Sequence, residues 1–340
     1  MSVTADQITI AITVYNRREY LPQAIHSALN QTIPVRVMVL EDCGPDPTLQ
    51  DFVRKEFGSR IEYVRNPRRR GLFGNWNACI DSCKTPWLSI LHDDDYLAPQ
   101  FVESMMELHC KAPSCALLFG QTSVVDPDGV PIPSLQRTPL TQPWKVVTLR
   151  DALYMTPFPF PGQIFRVDQA RVVGGFREFS KYTGDWEMWA RLIDICGSAE
   201  TASLVAFNRQ HTGWDRGTNI VVRSGWQYPA SYVQHKRVLA LLRRRGESAP
   251  FDRGAVIGRY ALPTRFLLRF GAKLSPRLLA YHRRLLLMSR SQHLPYAVFQ
   301  LAAWLFGTQF LRGASFAWKQ FDKGVPRDAS NVPASLSQPR

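Results

Sequence analysis

Trp87-Leu-Ser-Ile-Leu91 runs straight into His92-Asp93-Asp94-Asp95. Five uncharged, mostly apolar residues read as a strand buried on both faces. Three adjacent carboxylates repel one another unless water or a cation neutralises them. An apolar strand that ends in acids recurs upstream, where residues 35–40 end in Glu41-Asp42-Cys43-Gly44-Pro45-Asp46. Residues 8–14 and 61–64 are further short apolar runs. Helical segments separate these strands. Leu21, Ala24, Ile25, Ala28 and Leu29 fall at helical spacing within 17–31, and Pro22 suits a first turn. Residues 49–57, 75–83, 101–111 and 186–196 are also predicted helices, and 116–119 and 203–208 are predicted strands. Prolines 131, 133, 139, 143, 157, 159 and 161 mark residues 131–161 as a long loop, often a binding element in a compact domain.

Strands alternating with helices predict an α/β fold, a mostly parallel central sheet flanked by helices. Such sheets bind ligands at the carboxyl ends of their strands. The acids at 41–46 and 92–95 both fall there.

Each acid has two readings. The Asp93–Asp95 run is a solvated turn or an oxygen site for Mg²⁺ or Mn²⁺ bridging two phosphates. Asp42 caps a helix or accepts hydrogen bonds from a base or ribose. Asp185, in Gly184-Asp185-Trp186-Glu187, caps a helix or serves as a general base towards an attacking hydroxyl. His211 is structural, or meets a metal or phosphate. Arg68, Arg69 and Arg70 form a solvated loop or meet a diphosphate.

Taken in order, these features resemble family 2 glycosyltransferases of the GT-A fold over roughly residues 8–220. Thr13-Val14-Tyr15-Asn16-Arg17 is similar to the family's first strand end, beside the nucleotide base. Ser27-Ala-Leu-Asn-Gln31-Thr is similar to its first helix end. Glu41-Asp42 resembles the acids that hold uracil and ribose, and Asn66–Gly71 with Gly74-Asn75-Trp76-Asn77 resembles the segment before the metal motif. His92-Asp93-Asp94-Asp95 aligns with the family's DxD stretch. Gly174-Gly175-Phe176 and then Asp185-Trp186 resemble the acceptor-side loop and catalytic acid. Three positions depart: Thr13 stands for the usual Pro, His92 for the first DxD acid, and Gly184 for the Glu before the catalytic Asp.

The resemblance implies a nucleotide-diphospho-sugar transferase that inverts the anomeric centre. Asp185 would be catalytic. Thr13, Tyr15, Asp42, Arg70, Asn77, Asp93, Trp186 and His211 would bind substrate. Asp94, Asp95 and His211 would hold a divalent cation, Mg²⁺ or Mn²⁺. The donor would be a nucleotide-diphospho-sugar, and the acceptor a saccharide or lipid-linked hydroxyl in cell-surface polysaccharide synthesis.

Charge divides the chain. The net charge is +14, yet residues 1–235 carry about −1, while 236–290 hold 14 Lys/Arg against Glu247 and Asp252, a net of +12. A basic segment of this kind seeks phosphate on lipid or nucleic acid. Its arginines interleave with Leu and Phe at helical spacing, which favours a membrane interface over a base-stacking platform, so no nucleic-acid partner is expected. The competing reading is a helical subdomain packed on the catalytic domain. Residues 294–311 are uncharged but fall short of a spanning helix. The expected organisation is a GT-A catalytic domain over 1–235, a basic helical extension over 236–322, and a Pro/Ser-rich disordered tail over 323–340.

A polar N-terminus and six cysteines without a CxxC pair predict reduced thiols, no zinc site and a cytoplasmic protein peripheral at the inner membrane face. A nucleotidyltransferase is an alternative, but the glycine-rich phosphate loop it needs is missing after Val14. A non-catalytic nucleotide-binding fold on a basic membrane- or nucleic-acid-binding protein is another.

Overall fold

A computed structural model describes residues 5–180, 182–211 and 227–248. Apart from Gln227 and Tyr228 they belong to one compact unit, Met1–Val221 with Pro229–Phe251; the second unit, Val222–Tyr228 with Asp252–Arg340, lies almost wholly outside the described residues.

The unit is built on one nine-stranded sheet. Strands β1 (Ile8–Val14), β2 (Arg36–Glu41), β3 (Glu62–Arg65) and β4 (Trp87–His92) are parallel, in the order β3-β2-β1-β4. Helices α1 (Leu21–Leu29), α2 (Leu49–Phe57) and α3 (Gly71–Ser82) make the crossovers. Beyond β4 the sheet turns mixed. Strand β8 (Gln163–Arg166) lies antiparallel between β4 and β6 (Leu117–Val125). Strand β9 (Ser198–Arg209) runs parallel to β6 and antiparallel to both β5 (Tyr96–Leu97) and β7 (Trp144–Val147). The parallel expectation thus holds for the first four strands, and half of the strand pairings are antiparallel. Strand β7 interrupts the proline-rich stretch, and β8 follows directly after it. Helices α4 (Phe101–Lys111), α5 (Val167–Val172), α6 (Gly184–Cys196) and α7 (Gln227–Arg244) complete the unit.

Period-two alternation sorts the apolar side chains onto two faces. Ile8, Ile10, Ile12, Val37 and Val39 join one buried cluster with α1, α2 and α4. Ala11, Met38, Leu40, Leu88 and Ile90 point into the other, with α3, α5 and α6. Burial on both faces explains why β1 and β4 read as continuous apolar runs.

The boundary expected at residue 235 falls inside α7. Val238, Leu239 and Leu242 are buried in the second cluster, and His235 Nδ1 lies 2.8 Å from the Leu153 carbonyl. An amphipathic helix with an apolar stripe buries it against the nearest core, so the folded unit continues past 235. The rest of the basic extension, the 294–311 stretch and the tail lie outside the described residues. Among the described residues no helix is long and apolar enough to cross a membrane.

Candidate active site

Register brings the strand ends together. Thr13 pairs with His92 and Val14 with Glu41, so the carboxyl ends of β1, β2 and β4 share one edge. Arg17, Asp42 and the Asp93–Asp95 turn all emerge there.

The β4 turn splits its three carboxylates between two tasks. Asp95 is fully enclosed and accepts from the Arg209 backbone N–H at 2.8 Å and the Asn208 amide at 3.1 Å; His92 Nδ1 lies 3.4 Å from its other oxygen. It fastens the turn to the end of β9. Arg209 completes this clamp, its Nε donating to the Asp94 carbonyl at 2.9 Å and its Nη2 to Gln23 of α1 at 2.6 Å.

Asp93 and Asp94 look the other way. Arg17 Nη2 lies 2.5 Å from Asp93 Oδ1, and Arg17 Nη1 donates to Asp94 Oδ2. That same Asp94 oxygen lies 2.8 Å from His211 Nε2, 117 positions along the chain. Burial pushes the Asp93 carboxyl up to about 7, against the pull of Arg17. Burial also opposes the charged form of Asp94, but Arg17, His92 and His211 outweigh it and hold that carboxyl below its ordinary value.

A carboxylate oxygen and an imidazole nitrogen converging at 2.8 Å form a donor pair that suits Mn²⁺ or a similar borderline cation. The guanidinium against Asp94 shows that a positive charge is accommodated there. The ligand atoms of His92, Asp94 and Asp95 also lie within 4.8 Å of one another, although Asp95 spends its oxygens on β9. His92, which replaces the acid expected first in the motif, is stacked on Phe160 at 4.4 Å and on Trp76 at 5.5 Å. An imidazole fills that aromatic slot where a carboxylate would be stranded.

The β2 turn is tied inward. Asp42 accepts from the backbone N–H of Arg70 at 2.7 Å, of Gly71 at 2.9 Å, and from Asn66 at 3.1 Å. It therefore satisfies the N-terminus of α3. Glu41 accepts from Gly44 N–H at 2.8 Å, from Tyr63 Oη at 2.6 Å, and from Arg65. Gly44 is required, because a Cβ there would lie 1.8 Å from the Tyr15 carbonyl. Thr13 is buried with its hydroxyl 3.4 Å from the Leu91 carbonyl. Tyr15 lies under the Arg69 guanidinium at 4.2 Å. Arg70 is exposed, 3.9 Å from Asp81.

On the other side of α3, Asp185 opens α6. A Cβ on Gly184 would press into the Phe73 ring, so Gly rather than the family's Glu precedes Asp185 here. Burial raises the Asp185 carboxyl, partly offset by the backbone N–H of Trp186 and by the nearby His92. Trp186 is buried, its indole donating to the Ala152 carbonyl at 2.6 Å. Asn77 grips the Gly-Gly-Phe loop at both ends of its amide, donating to the Phe176 carbonyl and accepting from the Phe176 N–H, each at 2.8 Å. Gly175 sits at φ +63°, and any Cβ would lie 2.5 Å from Asn77 Oδ1.

Residues 9–162 match the family model described as Glycosyl transferase family 2. The chain carries a family 2 glycosyltransferase domain. Over 205 residues, 59% of this chain, it is 26% identical to chondroitin synthase of Pasteurella multocida, of which it spans 20%. The succinoglycan biosynthesis protein ExoO of Rhizobium meliloti is 30% identical over 123 residues, 36% of this chain and 35% of that protein. Among solved structures, residues 1–349 of S. aureus TarS superpose with a TM-score of 0.56 at 15% identity, covering 88% of this chain and 92% of that one. The same fragment in complex with UDP-GlcNAc gives 0.53 at 15% identity, over 82% and 88%. Identity this low speaks for the fold, which is GT-A.

Within the glycosyltransferase domain, Asp93, Asp94 and His211 come together, while Asp42 and Asn77 are engaged by backbone around α3. Two participants were not singled out in sequence. Arg17 appears there only as part of a strand end, although its place just past β1 and beside β4 is a usable signal. The ion pair Glu187–Arg191, 2.6 Å apart, donates from Arg191 Nη2 to the Gly175 carbonyl at 2.7 Å and so steadies the Gly174-Gly175-Phe176 loop; its i, i+4 spacing is visible in sequence.

Proposed function

We propose that the chain is an inverting glycosyltransferase. It moves a sugar from a nucleotide-diphosphate donor to a hydroxyl of a saccharide or lipid-linked acceptor, in cell-surface polysaccharide synthesis. The observation that carries this reading is the approach of Asp94 and His211 at the carboxyl ends of the strands, with Asp185 half-buried at the start of α6. Since S. aureus TarS has been solved with UDP-GlcNAc, a uridine diphosphate sugar is the first donor to test.

Asp94 and His211 would hold Mg²⁺ or Mn²⁺, which supplies Lewis-acid stabilisation of charge on the departing diphosphate. Asp185 takes the proton of the acceptor hydroxyl as its oxygen bonds to the anomeric carbon. The bond from that carbon to the diphosphate oxygen breaks on the opposite face, so one displacement inverts the centre. A carboxyl raised by burial is a stronger base once ionised, which suits this step. Asn77 and Arg191 keep the Phe176 loop in place beside it.

Asp185→Asn is expected to lower UDP release from the preferred UDP-sugar by roughly 10²–10⁴-fold, the usual cost of losing a placed base. Calorimetric UDP binding should persist. Near-normal turnover in this variant sinks the assignment.

The +12 segment 236–290 supports a position on the anionic inner face of the cytoplasmic membrane, where a lipid-linked acceptor would be presented. The full chain should sediment with anionic vesicles and not with neutral ones; equal recovery with both removes the electrostatic part of this reading.

A further inference from the structure

Asp94 Oδ2 has two cationic or donor partners at once, Arg17 Nη1 and His211 Nε2. The guanidinium side chain is 32% exposed, whereas Asp93 and Asp94 behind it are 5% and 10% exposed. The arginine thus stands at the mouth and the acids at the back. A divalent cation that uses Asp94 Oδ2 needs the place this guanidinium holds, because two cations on one oxygen repel at such range. Removing the guanidinium without replacement leaves two adjacent buried carboxylates facing each other, which is costly.

We propose that Arg17 is a displaceable internal counter-cation. It holds Asp93 and Asp94 in register while no ion is bound, and yields Asp94 when a divalent cation arrives together with a nucleoside diphosphate. The diphosphate oxygens then take the freed guanidinium, whose planar fork matches two phosphate oxygens. This rests on the donor-site reading above. Its consequence is specific. The cation alone must evict Arg17 and offer it nothing, so it binds poorly. With the nucleotide present the evicted arginine gains a partner, so cation and nucleotide assist each other, reciprocally.

The test is calorimetry on the full chain, titrating Mn²⁺ with and without saturating UDP, in the wild type, Arg17→Gln and Arg17→Lys. Thermal melts establish that each variant folds. Arg17→Gln should bind Mn²⁺ alone about tenfold more tightly than the wild type, and the gain from UDP should shrink, within the 5- to 150-fold range typical of coupled sites. Arg17→Lys keeps the charge without the fork and should fall between the two. It carries the test if the glutamine variant does not fold. Unchanged or weaker Mn²⁺ binding by the variants without UDP overturns the proposal, since an arginine that only shapes the pocket would not compete. Failure of the wild type to bind either Mn²⁺ or UDP instead sinks the donor-site reading itself.

Discussion

The turns after β2 and β4 flank the end of β1 at the same edge of the sheet, and both are acidic, yet their carboxylates lead different lives. Glu41 and Asp42 are met by Gly44, Tyr63, Arg65, Asn66 and the first amides of α3. Those donors belong to the fold. Asp95 behaves in the same way towards β9. Asp93 and Asp94 instead meet a partly exposed arginine and a histidine just past β9. A carboxylate saturated by backbone donors is scaffolding. One held by a long, half-exposed cation remains available to a better cation. The distinction separates stability from chemistry between residues only one position apart.

The largest consequence falls on Asp94. Asp94→Asn should cut sugar transfer by roughly 10²–10³-fold, the scale of losing one preorganised electrostatic contact, and should abolish any gain in nucleotide affinity from added Mn²⁺. Its ion-free melting temperature at neutral pH should fall modestly, because a carboxyl held below its ordinary value by Arg17, His92 and His211 stabilises the fold in its charged form. Steady-state assays over a Mn²⁺ series and a thermal melt check both halves. A variant that keeps near-normal transfer and Mn²⁺ response while melting early would place Asp94 with the scaffold.

Asp42 should show the reverse balance. Asp42→Ala orphans the Arg70 and Gly71 amides at the start of α3 and is expected to cost about 1–3 kcal/mol of stability. The denaturation midpoint should fall with an unchanged slope. Nucleotide affinity per folded molecule measures whether the same carboxylate also meets the base. If affinity falls while stability holds, Asp42 joins Asp94 and the contrast between the turns is lost.

Much of this contrast lay beyond the sequence for a physical reason. Strands β1 and β4 and helices α2 and α4 were legible because burial on two faces or one leaves a local apolar period. Strands β5, β7 and β8 were not: each has two to four residues and exists only through pairing with β4, β6 or β9. The acids at 42, 94 and 185 could be named from their positions at strand and helix ends. What each accepts from could not, because the donors to Asp95 lie 113 and 114 positions away and the partners of Asp94 lie 77 and 117. Asn77 was read as a substrate contact, although its amide is spent on Phe176, 99 positions distant.

Asp185 tests where a third acid belongs, with the smallest expected effect. It touches backbone at the N-terminus of α6, as Asp42 does at α3, and burial raises its carboxyl. A carboxyl with a folded value above its unfolded value adds stability only below the unfolded range, and that contribution is lost as pH rises through the folded value. At pH 8 the ionised group is therefore a net cost of folding. Asp185→Asn removes the titration, so its melting temperature should exceed the wild type's at pH 8. The gain should fade as pH falls through the unfolded range near about 4, below which the carboxyl is protonated in both states. Melts across that range decide the matter. A variant less stable at pH 8 would make Asp185 a helix cap like Asp42. A variant more stable and inactive would support Asp185 as the base and show that the fold carries its strained charge for that purpose.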